Sequence, residues 1–369
     1  MARARRNSAR NADRRHRRRH GRSGDARRPE AFARLAVEET GYGVVADKIQ
    51  KNLFSSQKVY DFIRPMKTVG VIARHEDRRV VEIAEPFGVV AAVVPSTNPT
   101  STAIYKILIS IKARCAIVIS PHPSAVKCIT RVAEVMEEAA RRAGAPAGAI
   151  NWMTTVTLEG TQELMKHRDV AVILATGGMG LVRAAYSAGK PAYGVGPGNA
   201  PAFIERTANV RKAVRDVVTG KTFDNGVLCS SENSVVVDEP IAEDVKREFM
   251  AQGGYFLERR RDGRAWRDVL VTPQRLPNPA LVGKSADDHR REVRDQRAGG
   301  DAGASSRRSQ ASAATTRSRS RSSARSSPTT SFATGAKGAS AASRSSATAG
   351  WATRCPSTRR TSRSSSSSA

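Results

Sequence analysis

The sequence predicts an α/β fold: a doubly wound, mostly parallel sheet with helices on both faces. Three observations carry this. Short, β-branched apolar runs recur at Val80–Ala84, Phe87–Val94, Cys115–Ser120, Ile150–Met153, Val170–Ala175, Ala192–Val195 and Ser234–Val237. Segments of helical spacing lie between or after them, at Thr100–Ala113, Ser124–Ala143, Leu158–His167, Gly178–Ser187, Val210–Thr219 and Ala242–Ala251. Glycine, proline and asparagine gather in the loops that follow strands, where sheets of this kind bind their ligands.

Each element has its own reason. Phe87–Val94 (FGVVAAVV) and Cys115–Ser120 (CAIVIS) are apolar throughout, as strands covered on both faces are. Thr100–Ala113 repeats Ile104, Leu108 and Ile111 along one helix face. Ser124–Ala143 sets Val126, Ile129, Val132, Val135 and Met136 on one side, with Ser124 as its expected N-cap. A basic interruption, Glu258–Asp268 (ERRRDGRAWRD), precedes a strand-like Val269-Leu270-Val271.

Charge divides the 369 residues into three stretches. The net charge is +28, of which residues 1–29 carry +10 and residues 286–369 carry +11, leaving +7 for the middle. Residues 1–29 have almost no large apolar residue, and neither end shows apolar periodicity; 22 of the last 84 residues are Ser. Such composition cannot bury a core, so disorder is expected at 1–29 and 286–369. Three readings of the ends stand open: solvated tails, a basic tail that binds nucleic acid non-specifically through phosphates, and out-of-frame translation of a GC-rich gene. The abrupt change after Val282-Gly283-Lys284-Ser285 fits the last of these.

The four cysteines, Cys115, Cys128, Cys229 and Cys355, have neither paired nor metal-type spacing. A reducing, cytoplasmic setting is expected, with no structural metal. No apolar run reaches the ~18 residues of a membrane span, and the N-terminus has no secretory apolar region.

The loops after the strands hold the candidate chemistry. Pro95-Ser96-Thr97-Asn98 follows one strand, Pro121-His122-Pro123 a second, Thr176-Gly177-Gly178 a third and Gly196-Pro197-Gly198-Asn199 a fourth. A two-glycine turn before a helix lets an anion approach free N–H groups, though a tight turn without ligand reads the same way. It is not the G-x-G-x-x-G pattern. Asn98 suits a turn and His122 suits a structural role as readily as a functional one. Cys115 and Cys128 sit in apolar patterns and read as core residues, whereas Cys229 follows the Asn225-Gly226 turn among polar residues and is the better nucleophile candidate.

Taken together, ETGYGVVADKIQKN, PSTNPTSTAIYK, ISPHPSA, ILATGGMGLVRAAYSAGKPAYGVGPGN and KTFDNGVLCSSENSVVV resemble the CoA-acylating aldehyde dehydrogenases, from about Ala31 to Leu257. The resemblance implies an aldehyde dehydrogenase-like fold, with an NAD-binding domain at 30–200 and part of a catalytic domain at 201–285. It implies Cys229 as the nucleophile, with Asn98 and the Cys229 backbone N–H stabilising the oxyanion. It places NAD along Pro95, Ser96, Thr97, Asn98, Thr176, Gly177, Gly178 and Gly196, with His122 towards the adenosine end. Hydrolytic relatives carry a water-activating Glu near Gly194–Ala200; here that stretch has no carboxylate, which implies coenzyme A as the acyl acceptor. Glu205 and Glu232 do not match that base. Acetaldehyde is the default substrate, with sulfoacetaldehyde as the alternative. The family is usually oligomeric. The later half of the catalytic domain and the terminal oligomerising strand have no counterpart here, so a catalytically inactive remnant, or a basic nucleic-acid-associated protein, stands as the other reading.

Overall fold

A computed structural model describes residues 27–256, 263–273 and 278–294 of the chain. Helices α1 (Arg27–Thr40) and α2 (Val45–Leu53) open it, and α2 runs through a π-helical turn, Phe54–Lys58, into α3 (Val59–Ile63). Strands β1 (Gly70–His75) and β2 (Val80–Ala84) form a separate antiparallel hairpin. Both faces of this hairpin leave apolar side chains exposed, among them Val71, Val80, Val81 and Ile83.

The main sheet has five parallel strands: β3 (Val89–Val94), β4 (Ala116–Pro121), β5 (Ile150–Trp152), β6 (Val170–Thr176) and β7 (Ala192–Val195). Their order is β5-β4-β3-β6-β7. The chain winds outward from β3 in one direction, returns, and winds outward from β6 in the other. The two halves meet between β3 and β6, the switch point at which such sheets open a binding crevice.

Helices α4 (Pro99–Lys112) and α5 (Val126–Arg142), with α1, cover one face. They bury Ile104, Ile107, Ile129 and Val132 against Val90, Ala92 and Val94 of β3 and Ile117 and Ile119 of β4. On the other face, Ala91 and Val93 of β3 meet Met165 of α6 (Leu158–Lys166) and Ala185 of α7 (Met179–Tyr186). Alternate residues of β3 thus enter opposite cores, which is why its sequence is apolar without interruption.

A second, two-stranded parallel sheet pairs β8 (Ala200–Ile204) with β9 (Glu232–Val237) across helix α8 (Val210–Thr222). Helix α9 (Ala242–Ala251) completes its core, in which Val214, Val217, Val235, Val245 and Phe249 are buried. Asn209 caps α8, its side chain accepting from Lys212 N–H at 3.0 Å.

Several expectations are corrected. Ser124 does not cap α5, because Pro123–Ala125 forms a 3-10 turn and the helix begins at Val126. Glu39 of α1 caps it from 89 residues away, accepting from Cys128 N–H and Lys127 N–H at 2.8 Å each. The strand expected at Val269-Leu270-Val271 is replaced by the end of α10 (Gly263–Leu270), where Val269 and Leu270 join Trp266 at i+3 and i+4 on one helical stripe, and Val271 just beyond makes a single β-bridge. Residues 286–294 are helical and bury Ala286, His289 and Val293, and residues 27–29 belong to α1, so order extends past both expected tail boundaries. The strand starting at Phe87 starts at Val89, after Gly88 turns the chain at φ 116°. The rest of the two basic ends, with Cys355 and the readings given for them, lies outside the described residues.

Among the described residues no helix is long and apolar enough to cross a membrane, and no three His, Cys, Asp or Glu side chains gather as metal ligands.

Candidate functional site

The carboxyl ends of β4, β3, β6 and β7 stand in a row, and the candidate loops leave from them at one level. The register pairs Val94 with Pro121, Val93 with Ala175, and Thr176 with Val195. His122, Pro95–Asn98, Thr176–Gly178 and Gly196 therefore share one sheet edge. Pro95 and Ser96 are buried, and Thr97 and Asn98 half-buried.

The turn after β6 is built for close approach. Gly177 N–H donates to Val195 O at 3.0 Å, and a Cβ on Gly177 would stand 2.6 Å from Leu181 Cδ2. Gly178 is the N-cap of α7, has no side-chain cap, and has no atom within 4 Å of the place a Cβ would take. The helix N-terminus is thus open beside the switch point, which suits an anionic phosphate. Gly196 packs on the same helix, its notional Cβ 3.1 Å from Met179 Sδ. His122 accepts from Ser124 N–H through Nδ1 at 3.1 Å, and partial desolvation lowers its pKa. It sits one strand outside the switch point on the β4 side, as Gly196 does on the β7 side.

Underneath, Lys106 of α4 donates to Val93 O and Leu174 O at 2.7 Å each. It ties β3 to β6 where the crevice opens. Burial lowers its pKa to about 7.

Cys229 lies in an exposed turn just before β9, whereas Cys115 and Cys128 are buried. Burial, reinforced by the Glu39 carboxylate, pushes the Cys128 thiol up and leaves it unreactive. The Gly-Pro-Gly loop presses on the Cys229 turn: a Cβ on Gly198 would fall 1.8 Å from Cys229 O. Asn233 holds the loop from the other side, donating to Gly198 O at 3.0 Å while accepting from Lys221. Burial lowers the Lys221 pKa to about 8.

The Cys229 turn is set by three residues in the left-handed region: Asp224 (φ 52°), Asn225 (φ 54°) and Gly226 (φ 75°). These are the residue types that tolerate it. Asp224 is wholly buried and accepts at Oδ2 from Lys51 Nζ at 2.5 Å and Lys48 Nζ at 3.1 Å, and at Oδ1 from Val44 N–H at 2.7 Å. Its own N–H donates to Asp47 Oδ2 at 2.8 Å. Lys51 also donates to Asn98 Oδ1 at 2.6 Å, and Lys48 to Thr97 O at 3.1 Å. Asn98 Nδ2 donates to Val227 O at 3.2 Å and Thr97 Oγ1 at 3.3 Å. Asn98 and the Cys229 turn, 131 positions apart, are thereby joined through one buried polar cluster.

Glu232 and Glu205 both point elsewhere. Glu232 Oε2 lies against α8, 2.5 Å from the place of a Cβ on Gly220, and is buried with no hydrogen-bond partner among the described residues. Glu205 accepts from Thr207 N–H at 2.9 Å on an exposed turn.

The sequence reading missed Lys48, Lys51, Asp224, Lys106 and the contact of Gly198. The buried side of α2 is polar (Lys48, Lys51 and Asn52), so no apolar stripe reveals it. Its only signal was lysines three apart within an otherwise amphipathic motif.

The profile of the Aldehyde dehydrogenase family matches residues 26–254. The bifunctional aldehyde-alcohol dehydrogenase of Escherichia coli K12 is 46% identical over 262 residues, which span 71% of this chain and 29% of that protein. The crystal structure of an acetylating aldehyde dehydrogenase from Geobacillus thermoglucosidasius aligns with a TM-score of 0.69 at 51% identity, over 73% of this chain and 59% of that one. A propionaldehyde dehydrogenase from Rhodopseudomonas palustris, crystallised with bound propionyl-CoA, aligns with a TM-score of 0.65 at 30% identity, over 72% and 58%. The chain therefore spans under a third of the first relative and under two thirds of the two solved structures.

Proposed function

The chain belongs to the aldehyde dehydrogenase family, and on that premise we propose that it carries the NAD- and CoA-dependent chemistry of the acylating branch, oxidising a small aldehyde to an acyl-CoA through Cys229. The observation that carries this reading is the exposed Cys229 turn joined to Asn98 at the carboxyl edge of the sheet, with no Asp or Glu in the Gly194–Ala200 stretch that packs on it.

The Cys229 thiolate attacks the aldehyde carbonyl carbon, forming a C–S bond and pushing the carbonyl electrons onto oxygen. Asn98 Nδ2 and the Cys229 backbone N–H stabilise that oxyanion. One such donor is typically worth about 3 kcal/mol in the transition state. The two long bonds Nδ2 makes, to Val227 O and Thr97 Oγ1, can yield to it. The residues fit a dinucleotide: Gly178 leaves the α7 N-terminus open for a pyrophosphate, while Pro95–Asn98 and Gly196 flank it. NAD, when bound, supplies the hydride acceptor. Collapse of the oxyanion with loss of hydride leaves a thioester on Cys229. CoA thiolate attacks it, the Cys229 thiolate leaves, and acyl-CoA forms. The same steps run in reverse.

Acetaldehyde is the first substrate proposed and sulfoacetaldehyde the second; the Geobacillus thermoglucosidasius relative is named an acetylating aldehyde dehydrogenase, and one relative from Acholeplasma a sulfoacetaldehyde dehydrogenase. The exposed apolar hairpin β1–β2 supports self-association of the chain. The test is NADH formation from acetaldehyde with and without CoA. Steady turnover is expected only with CoA, and none in Cys229→Ala. Steady turnover without CoA overturns the acylating reading.

A further inference from the structure

We propose that Lys51, seated on Asp224, is a positioning residue of the Cys229–Asn98 site, fixing the Asn98 amide by its oxygen and laying a positive charge beside the Cys229 thiol. This deepens the function proposed above and rests on it for the roles of Cys229 and Asn98.

Geometry comes first. An ammonium only donates, so the Asn98 atom 2.6 Å from Lys51 Nζ must be the oxygen. That choice turns Nδ2 the other way, towards Val227 O, two residues before Cys229. Without Lys51 the amide could flip and present its oxygen to the developing oxyanion. Lys51 is itself held tightly. Its side chain is 8% exposed, Asp224 Oδ2 lies 2.5 Å away, and the Phe223 ring centroid lies 5.6 Å from Nζ. Val44 N–H and Lys48 hold Asp224 in place beneath it. Gly43 allows this wrap, because a Cβ there would fall 2.0 Å from Asp224 Oδ1.

The charge follows from the same cluster. Lys48 and Lys51 share one carboxylate oxygen, and a second carboxylate, Asp47, joins the cluster through Asp224 N–H. Burial lowers the Lys51 pKa to about 8; Asp224 opposes this, Lys48 adds to it, and the Cys229 thiolate raises it again. A charged Lys51 and a thiolate at Cys229 attract one another across the Asn98 side chain.

The experiment uses the full chain and iodoacetamide, with mass spectrometry of the Cys229 peptide and Cys115 and Cys128 as buried references. Lys51→Met is expected to slow alkylation of Cys229 about tenfold near pH 7 and to converge with wild type near pH 10, where Lys51 is uncharged in wild type also. Lys51→Arg restores most of the wild-type rate near pH 7 and, if Lys51→Met fails to fold, decides alone: between about pH 8 and pH 9 it overtakes wild type, because a guanidinium keeps the charge that Lys51 loses above about 8. In the aldehyde assay, Lys51→Met and Asn98→Ala are expected to lower kcat by similar factors, on the order of a hundredfold, and the double variant no further. An unchanged alkylation profile in Lys51→Met or Lys51→Arg overturns the proposal, as do kcat losses that multiply. If the chain yields no NADH while the alkylation profile still depends on Lys51, the dehydrogenase reading fails and the placement of charge stands. If NADH forms normally in Lys51→Met, the Lys51 proposal alone fails.

Discussion

Gly198 shows how a single hydrogen atom can decide the shape of a site. Any side chain there would collide with the carbonyl of Cys229, 1.8 Å from where its Cβ must sit. The Gly-Pro-Gly loop and the cysteine turn can therefore touch only if residue 198 is glycine. Gly198→Ala is expected to displace the turn, removing the Lys51 dependence of Cys229 alkylation and at least about nine tenths of any aldehyde turnover. Lys106 makes a second residue-level prediction, in stability. Its folded pKa of about 7 lies below the ordinary 10.5. Between those values the unfolded chain holds a proton that the folded chain has released. Stability from this group therefore rises as pH climbs from 7 towards 10 and is lost as pH falls back to 7, at a slope on the order of 1 kcal/mol per pH unit. Lys106→Met removes the group, so the variant should gain on wild type as pH drops from about 9 to about 7 in urea titrations. A gap between the two chains that is the same at both pH values would contradict the buried, neutral lysine.

At the scale of elements, α5 depends on a cap that its own sequence does not contain. The Glu39 carboxylate takes two of its first free N–H groups, and its charge faces the positive end of the helix. Glu39→Ala is expected to cost about 1–2 kcal/mol in chemical denaturation, and Ser124→Ala far less. This also shows what the sequence made legible. The strands and helices of the main sheet could be read because each is fixed by its own apolar period: β3 alternates between two cores and α4 buries one stripe. Contacts made across long separations left no local period. Glu39 on α5, Lys51 on Asn98 and Gly198 on Cys229 could not be read for that reason. Helix α2 hid because its buried side is polar, and β8 because Pro201 interrupts a run of only five residues. The strand expected at Val269–Val271 failed because Val269 and Leu270 complete a helical stripe with Trp266 instead.

Over the whole molecule, the fold places the candidate loops where two windings of one sheet diverge. Loops from β3 and β6 frame the crevice, Lys106 ties their strands, and the β8–β9 unit brings Cys229 to Asn98. Candidate residues named from their loops alone thus fall along one edge, while the polar cluster that joins the two sides emerges only in three dimensions. The chain matches the aldehyde dehydrogenase family over residues 26–254 and spans 59% of a solved acetylating relative. Whether this span suffices for acyl transfer is decided most directly by the intermediate. The full chain should be incubated with acetaldehyde and NAD without CoA, then digested and weighed by mass spectrometry. The account predicts one acetyl group on the Cys229 peptide and none on Cys115 or Cys128, lost on adding CoA as acetyl-CoA appears. NADH formation with an unmodified Cys229, or an acetyl group on Cys229 that CoA does not remove, would contradict it.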